Sequence, residues 1–306
     1  MFNRILVPTD FSRASEAALA HARILAESTG ATLHLLHVVN KASLATVPAD
    51  PREYESAAYE QLQQWLSSEG PDGILLVVER SEVPADEITR YARAHDIDLI
   101  VMGTHGRGRV AHFLLGSVAE KVARTAPCPV LTMRGTSGTR ATRRPRILVP
   151  TDFSPCADAA LDCANQMAAR VRTSICLLHV IYRPAIGVTF GSELGAPESL
   201  ETRQDQMENA RIELGRRMLA DSRSRLAMTA DIVFGTSAAM ISAYAADHDF
   251  DMIVMGTHGR SGIAHLLMGS VAESVVRTAP CPVLTVKSRH ATQVRKVTAE
   301  AAYAVV

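Results

Sequence analysis

Met102–Met133, MGTHGRGRVAHFLLGSVAEKVARTAPCPVLTM, and Met255–Val286, MGTHGRSGIAHLLMGSVAESVVRTAPCPVLTV, are one segment written twice. In each copy a glycine ends an apolar run (Gly103, Gly256) and a second follows after two residues (Gly106, Gly259). A third, joined to serine, comes after nine more (Gly116-Ser117, Gly269-Ser270). Glycine lets the backbone turn sharply and lets a ligand approach the main-chain N–H groups closely. A helical pattern opens at the Gly-Ser pair, with Val118-Ala119 and Val122-Ala123 in the first copy. The serine is therefore expected at an N-cap or against an anion. The pattern reads as a phosphate site present twice.

A second repeat supports the first: Arg4–Ser12 and Arg146–Ser154 both read RILVPTDFS. Half of a 306-residue chain is the size of a compact domain. The period is far longer than the roughly 20 to 50 residues of solenoid units, so two similar domains in tandem are expected. Their bounds are set at 1–134 and 145–287. The polar stretch 135–144 (GTSGTRATRR) serves as a linker, and 288–306, which has no counterpart in the first half, is expected to be a mobile tail.

A formal net charge of +0 gives no bulk attraction for nucleic acid or an anionic membrane, so neither is expected as a partner. No leader and no apolar run of membrane length is read, and five cysteines without a CxxC suit reduced thiols, which together point to a cytoplasmic protein. Cys128 and Cys281, in matching Pro-Cys-Pro-Val contexts, are expected to be packed thiols.

Short apolar runs alternate with helical patterns. Strands are expected at Ile5–Val7, Thr32–Val39, Ile74–Val78, Asp98–Met102 and Val130–Met133. Helices are expected from Ser12 or Ser15 to Thr29, at Tyr54–Leu66, Pro84–Ala94 and from Ser117 to about Thr125, with Lys41 to about Glu53 a loop. The second half repeats the order. Strands alternating with helices make an α/β fold, here two tandem doubly wound domains, each a parallel sheet with helices on both faces. Asp10 to Asp152 is an offset of 142, kept at His37 and His179, whereas Gly103 to Gly256 is 153. Eleven extra residues thus enter the second half after its second strand, and the loop Arg183 to about Leu200 is their expected place.

Gly-x2-Gly-x9-Gly-Ser in both halves, with Val-Pro-Thr-Asp at each first strand end, resembles the ATP-binding type of the universal stress protein family. The resemblance implies five strands per domain in the order 3-2-1-4-5, the adenine nucleotide alpha-hydrolase-like arrangement. A ligand crevice would lie between the ends of strands one and four. It implies that Asp10 and Asp152 accept the ribose hydroxyls, with a helix cap or Asx turn as the other role open to them. Adenine would meet the backbone of Val38 and Val180. Gly103, Gly106, Gly116 and Ser117, with Gly256, Gly259, Gly269 and Ser270, would cradle the phosphates of ATP, accompanied by Mg²⁺. Flanking Pro8, Thr9, Met102 and Val118, with Pro150, Thr151, Met255 and Val271, complete the lining. Arg107 and Arg260 are read either as phosphate contacts or as exposed loop arginines.

His105 and His258 have no carboxylate at a recognisable spacing to orient them, so no catalytic residue is assigned. His37 and His179, inside apolar strands, are expected to be hydrogen-bonded core histidines. There is no Gly-Lys dipeptide for a Walker A loop, no Gly-x-Gly-x-x-Gly after the first strand, and no HExxH. Fast phosphoryl transfer thus lacks its usual parts. The expected function is a nucleotide-dependent regulator or sensor. A slow ATPase or nucleotidyl-transferring enzyme, and an interaction protein with vestigial sites, are the rival readings. Bare last strands, Val130–Met133 and Val283–Val286, suggest that the halves pair there. The family resemblance implies a homodimer as well, since family members dimerise in this way.

Overall fold

The structure is a computed structural model that describes residues 2–40, 51–66, 73–104, 115–134, 145–171, 173–183, 200–220, 227–259 and 268–287. The expected linker, the tail and nearly all of the loop 183–200 lie outside them. The first half runs β1 (Arg4–Thr9), α1 (Arg13–Thr29), β2 (Thr32–Asn40), α2 (Pro51–Leu66), β3 (Ile74–Ser81), α3 (Pro84–Ala94), β4 (Leu99–Gly103), α4 (Ser117–Thr125) and β5 (Val130–Met133). The second runs β6 (Arg146–Pro150), α5 (Pro155–Val171), β7 (Ser174–Tyr182), α6 (Leu200–Ala220), β8 (Met228–Gly235), α7 (Ser237–Asp247), β9 (Met252–Gly256), α8 (Ser270–Thr278) and β10 (Val283–Val286).

Each element follows from local chemistry. Ile5, Leu6 and Val7 are wholly buried because a central parallel strand is covered on both faces. Helix α1 buries Ala18, Leu19, Ala22 and Ala26 along one stripe. It starts at Ser12, whose side chain accepts from the Ser15 amide, and stops at Gly30, left-handed at φ 71°. Helix α2 begins at Pro51, three residues before the expected Tyr54, because proline at a first helical position has no N–H to lose. Helix α6 has 21 residues against 16 in α2, so part of the extra length of the second half extends a helix and does not sit in the loop before it.

The chain folds as two units. In the first, parallel pairing gives the order β3-β2-β1-β4-β5, as expected, with Thr9 beside His37 and Gly103 beside Met133. This unit also contains β10, antiparallel to β5, with Val283 opposite Thr132. Hydroxyls of Thr132 and Thr285 add bonds to the Val283 and Val130 carbonyls at 3.1 and 3.2 Å. The second unit has the order β8-β7-β6-β9. The strand counts therefore differ from five and five. Strand β5 is four residues long and buried throughout, and an antiparallel neighbour satisfies the edge it would otherwise leave bare.

The two units fill one interior position differently. Buried His34 on β2 meets the Tyr91 hydroxyl through Nδ1 at 2.9 Å, and Tyr91 stacks on His95. In the repeat the place of His34 is taken by Cys176, near the Tyr244 hydroxyl. Burial, then His95 and Arg4, hold the His34 imidazole below its ordinary 6.5. Such a group favours the folded state while neutral, and its contribution is lost as pH falls from 6.5 through the lower folded value. Urea midpoints should thus drop between pH 7.5 and pH 5, and the drop should be smaller in His34→Cys. All five cysteines are thiols outside any disulfide, and burial pushes those of Cys163 and Cys281 up to about 12. No helix among the described residues is long and apolar enough to cross a membrane.

Candidate functional site

Neighbouring parallel strands β1 and β4 end together, at Thr9 and Gly103, and a cleft opens at this carboxyl edge of the sheet. In the first unit this cavity has a volume of about 520 Å³. It is lined by Pro8, Thr9, Asp10, Val38, Met102, Gly103, Gly116, Ser117 and Val118, all expected site residues. The cavity of the second unit, about 410 Å³, is lined by Pro150, Thr151, Asp152, Val180, Met255, Gly256, Gly259, Gly269, Ser270 and Val271. Gly106, Arg107, Arg260 and His105 lie outside the described residues.

The turn after β1 is built by its own side chains. The Phe11 amide donates to Thr9 Oγ1 at 3.0 Å, and the Ser12 amide to Asp10 Oδ1 at 3.1 Å. Between them Phe11 sits at φ 61°, a left-handed conformation that costs a bulky residue on the order of 1 to 3 kcal/mol. Phe153 at φ 66° is held in the same way by Thr151 and Asp152, at 3.1 Å each. Asp10 and Asp152 thus do form the Asx turn that was the other role open to them, and both residues line their cavities. His37 and His179 buttress the turns. Each donates from Nδ1 to a threonine carbonyl, Thr9 or Thr151, at 2.8 Å, and lies against the phenylalanine ring, with centroids 4.6 and 4.4 Å apart.

The glycines divide by role. A Cβ on Gly103 would stand 2.6 Å from Ala14 Cβ, and one on Gly256 would stand 2.8 Å from the Cys156 carbonyl carbon. These two glycines let the first turn of α1 or α5 press on the strand end. Gly259 lines the second cavity, where a Cβ would meet Asp152 Oδ2 at 2.7 Å. Gly116 and Gly269 already use their amides, each donating to a threonine carbonyl (Thr104, Thr257) at 2.7 Å. They, and not Ser117 and Ser270, occupy the N-cap, so the serines begin the helices. Helical geometry leaves the amides of Ser117, Val118 and Ala119, and of Ser270, Val271 and Ala272, without an intrahelical acceptor, and all six residues line the cavities. An anion has its donors there.

Other lining residues were not anticipated from sequence. Pro84 and Ile88, from the first turns of α3, wall the first cavity, and Ser237 and Ile241 of α7 wall the second. For α3 the sequence signal is Pro84 at the helix start, which marks a first turn and not a cavity wall, and α7 opens at Ser237 without such a mark. His258 lines the second cavity, but its Nδ1 meets the Thr257 hydroxyl at 2.9 Å, a group that cannot stabilise an imidazolium as a carboxylate does.

A family model described as the universal stress protein family matches residues 1–134 and 144–287. The chain belongs to the universal stress protein family. Among curated universal stress proteins, MJ0531 of Methanocaldococcus jannaschii is 33% identical over 147 residues, 44% of this chain and 83% of its own length. Rv2005c of Mycobacterium tuberculosis is 26% identical over 303 residues, 92% of this chain and 96% of that one, so it is similar across both halves. Two solved structures share the fold at low identity. A functionally unknown protein of Pseudomonas aeruginosa, PA1789, has a TM-score of 0.68 and 20% identity, with 98% of each chain covered. A universal stress protein of Archaeoglobus fulgidus has a TM-score of 0.62 and 23% identity, over 94% of this chain and 99% of that one.

Proposed function

We propose that each unit binds an adenine nucleotide, ATP carrying Mg²⁺, and that the protein acts as a nucleotide-dependent regulator or sensor in a stress response. One juxtaposition supports the reading above all. Asp10 at the end of β1 and the open amides of Ser117, Val118 and Ala119 line the same cavity, and Asp152 with Ser270, Val271 and Ala272 line the other. A carboxylate accepts from two neighbouring ribose hydroxyls, and a helix N-terminus receives phosphate. Between them Leu36, Val38 and Ile88 offer apolar walls to a base. Mg²⁺ would come with the triphosphate, which neutralises part of its charge, and the residues on hand suit an ion that keeps phosphate and water ligands. A cytoplasmic location, a homodimer and pairing of the halves through their last strands belong to the same proposal, and sedimentation tests the dimer.

Thermal melts with ATP test the binding. Ligand at 100 times its dissociation constant stabilises a folded protein by about 2.7 kcal/mol, and no shift overturns the reading. The nucleotide released on denaturing freshly purified protein gives the identity and the ratio to chain. The first unit also carries its own reporter. Trp65, the one tryptophan, sits edge-on to Phe11 at 5.8 Å beside Asp10. ATP should change its fluorescence in the wild type and in Asp152→Ala but not in Asp10→Ala.

A further inference from the structure

The two turns are held from outside by different chemistry. On Phe11 the neighbour from α2 is Trp65, edge-on with ring centroids 5.8 Å apart. On Phe153 the neighbour from α6 is Arg217, whose guanidinium lies 4.8 Å over the ring while Nη2 donates to the Phe153 carbonyl at 3.2 Å. Two carboxylates fix the guanidinium: Asp158 Oδ1 receives Nε at 2.7 Å and Glu213 Oε2 receives Nη1 at 2.8 Å. The arginine side chain is only 17% exposed. This one side chain thus joins α6, the first turn of α5 and the strained residue next to Asp152.

We propose that Arg217 is a positioning residue for the second cavity: it latches Phe153 in its left-handed conformation and thereby aims the Asp152 carboxylate at a nucleotide ribose. The claim rests on the nucleotide reading given above. A φ of 66° at a phenylalanine is unfavourable by itself and persists only where its surroundings hold it. The guanidinium supplies a charge-assisted bond to the carbonyl and a flat cationic face to the ring, two contacts that lysine cannot make together. An ionic latch is also weakened by salt, and an aromatic edge contact is not. The second cavity should therefore lose affinity as ionic strength rises, and lose less of it once Arg217 is replaced.

The test separates the cavities in the full chain by silencing one at a time, with Asp10→Ala to leave the second and Asp152→Ala to leave the first. ATP affinity is measured by calorimetry well below the melting temperature, at low and high salt. Arg217→Met should weaken the second cavity about tenfold, flatten its salt dependence and leave the first unchanged, while Arg217→Lys should recover only part of the loss. Hydrogen exchange without nucleotide gives an independent readout. The Phe153 and Ser154 amides should exchange faster in Arg217→Met, and those of Phe11 and Ser12 should not. Unchanged second-cavity affinity, full rescue by lysine, or unchanged exchange at residues 153 and 154 overturns the latch while leaving nucleotide binding intact. A wild type that binds no ATP in either cavity overturns the nucleotide reading, and the affinity claim for Arg217 falls with it.

Discussion

Asp10→Ala combined with Asp152→Ala should abolish ATP binding, with no calorimetric heat and no thermal shift. Hydrogen bonds to a charged group contribute roughly 1.5 to 3 kcal/mol each, so a carboxylate that accepts two ribose hydroxyls accounts for a hundredfold or more in affinity. The alanine variant loses more than those bonds, because the Ser12 and Ser154 amides lose the acceptor that closes each turn. Asp→Asn at the same positions separates the two effects. Its amide oxygen still closes the turn but offers one acceptor in place of two, so affinity should fall to an intermediate value while the turn survives. Retained tight binding in the double alanine variant would sink the proposed function.

The second large effect concerns stability. Gly103→Ala and Gly256→Ala place a Cβ within 3 Å of the first turn of α1 or α5, against Ala14 Cβ or the Cys156 backbone. Backbone cannot rotate aside as a flexible side chain does, so each should cost about 3 kcal/mol, at the upper end of the usual range for overpacking. Urea denaturation should show the loss with or without nucleotide. Gly259→Ala is the contrast: its Cβ meets the Asp152 carboxylate and not a helix, so ATP affinity should fall with little change in the urea midpoint. If all three variants lost affinity alone, the division of the glycines by role would be wrong.

Much of this was legible in the sequence, for definite reasons. Pro84 and Ser117 each open a helix at the residue expected, because proline suits a first helical position and the glycine before Ser117 ends the preceding loop. The carboxyl ends of β1 and β4 were marked by Asp10 and Gly103, and the strand order brings them together. Sequence is silent on what a glycine is for. Gly103 reads as a phosphate residue and lines the cavity, but its missing side chain also makes room for Ala14, and the Gly116 amide is committed to Thr104. Both facts depend on a partner whose distance no spacing encodes. The left-handed Phe11 and Phe153 break the rule that such conformations belong to glycine or asparagine, so no residue type announced them. Arg217 was hidden for a similar reason: its value lies in Phe153, 64 positions earlier.

The left-handed phenylalanines also bear on the order of assembly. Phe11 and Phe153 lie close behind the first strand of each half, yet Trp65 and Arg217, which brace them, are made dozens of residues later. During synthesis Asp10 and Asp152 therefore emerge long before the helix that steadies each turn. A nascent or clipped chain that stops short of that helix carries every motif of the pocket's first wall with its turn unbraced, so under the proposed function nucleotide would reward completed chains over fragments.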